Sequence, residues 1–117
     1  MTVSSTGIYY FEQSGNTWTS NNEGRNNTSA TTTWTITLSE SAAISIPWTV
    51  SSESNYDKLT VTLDSSTKVS AVSGEQSGTI TATFSAGTHT LTATYSKDYS
   101  ANAGSDCATI TLDEIVY

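Results

Sequence analysis

Asp57, Asp64, Asp98 and Asp106 are the residues on which a hydrolytic reading of this sequence would have to rest. Paired carboxylates cleave a glycosidic bond when they face each other across a cleft about 5–9 Å wide and burial lifts the pKa of one. These four stand in polar, turn-forming stretches, with Lys58 and Lys97 beside two of them. Turn capping and local ion pairs are the chemistry such a setting serves. His89 shares its alternation with Leu91, Ala93 and Tyr95, so it is expected to point inward as a hydrogen-bonded core histidine. Neither a second histidine nor a nearby thiol accompanies it. Cys107 is the only cysteine, which excludes an intramolecular disulfide and a zinc framework, and it reads as a small buried apolar residue. Serines abound without a nucleophile elbow. No enzyme is expected.

Binding chemistry is better supplied. An exposed aromatic ring stacks on the apolar face of a pyranose while flanking Asn and Asp hold its hydroxyls. Trp34 alternates with threonines and belongs to the core. Trp48, Tyr9, Tyr10 and Tyr56 are further candidates for stacking, and Trp18 and Tyr99, set in Asn- and Ser-rich stretches, are the preferred ligand-binding residues.

The elements that must position these groups are strands. Thr33–Leu38, Lys58–Leu63, Thr79–Phe84, Thr90–Tyr95 and Thr109–Leu112 each alternate threonine or another polar residue with a large apolar one. Period-2 alternation puts one set inward and the other outward. Ile8–Phe11 reads as a first strand, Thr67–Val72 as a short one, and Ala42–Ser51 as an edge or bulged strand because Pro47 lacks an N–H. Asn16 to Ser29 is the longest loop candidate. No segment carries a helical stripe, and regular turn signals between short strands indicate a sandwich or barrel. The expected fold is all-β, an antiparallel β-sandwich of about eight strands filling one domain, residues 1–117.

Composition agrees. Only 13% of residues are charged and 35% hydrophobic, but 23 threonines and 20 serines fill the gap, which is a strand composition rather than that of a disordered tail. The net charge of −7, with only Arg25, Lys58, Lys68 and Lys97 basic, argues against nucleic acid and anionic membranes as partners. No apolar run reaches the roughly 18 residues of a membrane span. The first residues, Met1 to Ser5, carry neither a basic nor an apolar export signal, so the chain is expected either to act without such export or to be cut from a longer exported protein.

Phe11-Glu12 with Trp18 following, and Leu112-Asp113-Glu114-Ile115 near the end, resemble the opening and closing motifs of jelly-roll modules of the MAM and carbohydrate-binding-module type. The stretches from Tyr56 to Asp64, Ser73 to Glu75, Ala86 to Leu91, Tyr95 to Asp98 and Gly104 to Asp106 are similar to sandwich domains of bacterial and phage surface proteins. The chain departs from them at Thr79–Phe84 and Thr92–Thr94, where alanine and threonine stand in place of tryptophan. The resemblance implies a jelly roll whose first and last strands lie side by side, with one structural calcium ion bound by Glu12 and Asp113. Two carboxylates so placed would repel unless a cation or proton lay between them. The resulting expectation is a structural or decoration module on a virion or cell surface that docks onto a repeated protein lattice. The second reading is a carbohydrate-binding or adhesin module, extracellular or at the cell surface, with a glycan as partner.

Overall fold

The structure, a computed structural model, describes residues 1–5, 7–98 and 106–113. Its strands are β1 (Thr2–Ser5), β2 (Phe11–Ser14), β3 (Thr17–Ser20), β4 (Ser29–Leu38), β5 (Ala42–Ser51), β6 (Lys58–Leu63), β7 (Ser66–Val72), β8 (Glu75–Phe84), β9 (Gly87–Ser96) and β10 (Cys107–Thr111). They form two antiparallel five-stranded sheets, β1-β4-β9-β6-β7 and β2-β3-β10-β5-β8. The expected all-β sandwich is thus observed, with ten strands among the described residues rather than eight.

Alternation is what sorts the two faces. Along β4, Ala30, Thr32, Trp34 and Ile36 are buried while Thr31, Thr33 and Thr35 face outward. The outward threonines pair across strands: Thr33 with Thr92 at 3.1 Å, Thr37 with Thr88 at 3.1 Å, and Thr49 with Thr109 at 2.6 Å. Such pairs contribute roughly 0.2–1 kcal/mol each, so they tune register rather than dominate stability. Between the sheets, Trp34 is the largest fully buried side chain. Phe11 and Trp18 meet it edge-on, with ring centroids 6.0 and 5.5 Å away.

Three local expectations are corrected. The first strand is Thr2–Ser5, paired to β4, and Ile8 to Tyr10 lie outside any strand. Thr17–Ser20 is a strand within the stretch read as a loop; four residues are too few for alternation to stand out. Ala42–Ser51 is an interior strand between β10 and β8, not an edge. Its pairing with β10 ends at Trp48, so Pro47 falls just beyond the ladder where a donor would be needed.

Connectivity places the loops. The links β1–β2, β3–β4, β9–β10, β5–β6 and β7–β8 all cross from one sheet to the other at the same end of the sandwich, in that order across it. Tight hairpins close β2–β3 and β6–β7 at the opposite end. β1 enters from that hairpin end and β10 leaves at it, where Leu112 N–H donates to the carbonyl of Asn16.

Candidate functional site

The crossing-loop end gathers most of the chain's unusual polar chemistry. Lys97, just past β9, is buried, and its ammonium donates to Asp57 Oδ2 at 3.1 Å and to Asp106 Oδ1. Neither acid is exposed. Asp57 sits in the β5–β6 loop, and its second oxygen accepts the Asp98 N–H at 2.9 Å. Asp106 precedes β10 with a positive φ of 53°, a conformation that Asp tolerates better than most residues. It also accepts from the Tyr95 hydroxyl at 2.8 Å and the Gly24 N–H at 2.6 Å. Burial, then the bond to Asp106, pushes the Tyr95 phenol well above its usual range. The local ion pairs expected of these aspartates are corrected: Lys97 pairs across the fold with Asp57 and Asp106, buried rather than in a solvated turn. One cation therefore ties the β5–β6 and β9–β10 loops together.

Beside this cluster stands Glu53, which the sequence reading missed. Carboxylate oxygens of Glu53, Asp57 and Asp98 lie within 4.8 Å of one another. Burial of its carboxylate, then the charges of Asp98 and Asp57, raise the Glu53 pKa. Its Oε1 is buried with no hydrogen-bond partner among the described residues. A proton or a cation would each relieve that arrangement. The oxygen donor set suits calcium, which takes about 6–8 oxygens at 2.3–2.6 Å. No sequence signal marked Glu53, because convergence of two loops is invisible in spacing.

Glu12 and Asp113 are not brought together on neighbouring strands. β3 lies between β2 and β10, and Glu12 is opposite Thr19, whereas Asp113 follows β10 at the β2–β3 turn. Glu12 Oε1 instead accepts from Asn21 Nδ2 at 3.2 Å. Trp18 is on β3 rather than in a loop and is only 6% exposed, so its indole offers no face to a ligand. The reason is its alternation with Thr17 and Thr19, which turns it inward onto Trp34. Tyr99 lies outside the described residues. Among the described residues, the exposed rings at the crossing-loop end are Tyr56, 60% exposed in the β5–β6 loop next to Asp57, and Tyr10 in the β1–β2 connection.

Cys107 is half-buried and shares the outward face of Thr109 rather than joining the core, and burial raises its thiol pKa.

The fold so assembled has solved counterparts. A family 35 carbohydrate-binding module from an environmental isolate superposes with a TM-score of 0.50 at 15% identity, over 92% of this chain and 84% of that one. The fold is that of the family 35 modules. Two structures of such modules from Clostridium thermocellum align at TM-score 0.48 and 12% identity. They cover 95% and 93% of this chain, and 88% and 91% of their own. No protein-family model and no curated protein matches the sequence. The jelly-roll resemblance read from the sequence therefore holds for the fold, and no helix among the described residues is long and apolar enough to cross a membrane.

His89 occupies the hairpin end, far from these loops. Its Nδ1 meets Asp64 Oδ2 at 2.6 Å and its Nε2 meets the Ser85 carbonyl at 2.8 Å, with the Phe84 ring 4.9 Å away. Two acceptors require two ring donors, which is the imidazolium. The bond to Asp64, then that to Ser85, raises the His89 pKa above 6.5; the same bond, then the Thr90 N–H, lowers that of Asp64 below 3.8. A raised histidine contributes stability fully present below its unfolded pKa and lost as pH rises through the folded value. A lowered carboxylate contributes stability present above its unfolded pKa and lost as pH falls through the folded one. Asp64 is partly exposed, so the contribution is about 1 kcal/mol or less. The expected result is a shallow decline in melting temperature between about pH 6 and pH 8 that His89→Phe abolishes. Equal slopes in both proteins would show that this pair does not carry it.

Proposed function

We propose that this chain is a non-catalytic carbohydrate-binding module that contacts its glycan through the crossing-loop end of the sandwich. What supports the reading is the fold shared with a family 35 carbohydrate-binding module across 92% of the chain. That likeness speaks for the second of the two functions drawn from the sequence rather than for docking on a virion lattice. Tyr56 is the stacking ring on this reading, with acids of the neighbouring loops facing the sugar hydroxyls. An extracellular or cell-surface location goes with it. Glycan-array retention of the wild-type protein tests it, with Tyr56→Ala expected to weaken binding about tenfold, equivalent to roughly 1.4 kcal/mol. A wild-type protein that retains no glycan would end the proposal.

The same reading includes one calcium ion, now assigned to Glu53, Asp57 and Asp98 because only these converge among the described residues. Millimolar calcium is expected to raise the melting temperature of the wild-type protein, and chelation to reverse the gain. Glu53→Gln should melt higher than the wild type without calcium, since the repulsion is gone, and should not respond to the ion. A wild-type melting curve indifferent to calcium would leave Glu53 simply protonated.

A further inference from the structure

Two sheets have four edges, and three of them are defended. β1 and β2 are four residues long, too short to template another strand. β7 carries Lys68, register shifts against β6 and a positive φ at Ala71. Bulges and lysines are the usual devices against edge-to-edge pairing. β8 has none of them. It runs ten residues, pairs with β5 from Ala42–Phe84 to Ser51–Glu75 without a register shift, and contains neither proline nor lysine. No backbone hydrogen bond from the described residues reaches its other side.

Glycine in an edge strand ordinarily loosens it. Here Gly78 is covered by Trp48, the residue opposite it on β5. A Cβ at Gly78 would stand 2.8 Å from Cζ2 of that indole. The ring fills the space a side chain would occupy, so the strand stays regular through its weakest residue. The indole is only partly buried there.

Charge chooses the orientation in which a second copy pairs. The only charged residue of β8 is Glu75, at its first position. A parallel partner of the same sequence would set two Glu75 side chains together. An antiparallel one sends them to opposite ends and leaves an uncharged hydroxyl-bearing middle in register. We propose that β8 is a self-association edge, joining two copies of this chain antiparallel about a two-fold axis into one continuous ten-stranded sheet. The pairing closes at two, because each copy has only one undefended edge among its described strands. Half of the β8 backbone groups face outward, so up to about ten hydrogen bonds form, comparable with an ordinary interface. A single-strand edge contact is small among specific interfaces, so the dimer is expected to be weak, with a Kd on the order of micromolar. Each copy carries −7, so screening by salt strengthens the association.

Sedimentation equilibrium of the full chain from about 1 to 500 μM tests this. The wild type is expected to pass from monomer to dimer, with more dimer at 0.5 M than at 0.05 M salt. Thr79→Lys with Thr81→Lys, both at exposed positions of β8, should stay monomeric throughout. Thr88→Lys, exposed on β9 in the other sheet, should dimerise as the wild type does. Circular dichroism confirms that each variant is folded. A wild type monomeric at every concentration, one that grows beyond two copies, or a dimer unaffected by the β8 lysines would each overturn the proposal.

Discussion

Lys97→Met is expected to destabilise the protein by about 3–5 kcal/mol at neutral pH, because it leaves two buried carboxylates without their cation. Methionine matches the lysine stem in length and apolar character, so packing is nearly conserved and the loss reports the missing charge. Asp57 and Asp106 keep their backbone and hydroxyl donors, but these alone do not offset two negative charges withdrawn from water. Chemical unfolding in urea gives the number directly, and the melting temperature should fall by roughly 10–20 °C. Acidifying the medium, which neutralises the stranded carboxylates, should narrow the gap to the wild type. A deficit under about 1 kcal/mol would mean that the cluster behaves as a surface ion pair. Because the same lysine joins two loops of the proposed glycan site, the variant should also lose binding at temperatures where it remains folded.

Trp34→Ala carries the next largest effect, about 3–5 kcal/mol, from lost burial and the cavity left behind. Trp34 is fully buried at the junction of Phe11 and Trp18, so neither sheet can close over the gap without moving. Trp34→Phe is the informative companion. The indole Nε1 is buried without a hydrogen-bond partner among the described residues, a state that itself costs about 1–3 kcal/mol. Phenylalanine removes that donor along with the second ring, so its deficit should be less than half that of the alanine variant. Urea unfolding followed by the remaining tryptophans measures both. If phenylalanine proves as damaging as alanine, the orphaned donor contributes nothing.

The strands with strict alternation were legible because the pleat translates sequence parity directly into burial. β4, β6 and β9 needed no tertiary information. Short strands escaped: β1 is exposed at every position, and β3 offers a single buried large residue between polar neighbours. The site was legible only in its ingredients. Asp57, Lys97 and Asp106 could be named, yet nothing in their spacing says that a lysine 40 residues downstream of Asp57 shares its buried pocket. Glu53 looks like an ordinary loop residue until the β5–β6 connection is placed beside β9–β10, and Tyr56 is one candidate ring among several until its exposure singles it out. Glu12 and Asp113 failed as a pair for the converse reason: motifs at the two ends of the sequence suggested adjacency, and β3 intervenes.

Because β1 enters and β10 leaves at the hairpin end, a tether fixed to either side of the described chain pulls from the pole opposite the crossing loops. The loop pole is then held outward, like the bristles of a brush, whichever side is anchored. Fusions at either side to a bead, a fluorescent reporter or an enzyme should therefore leave that pole equally open to a surface in front of it.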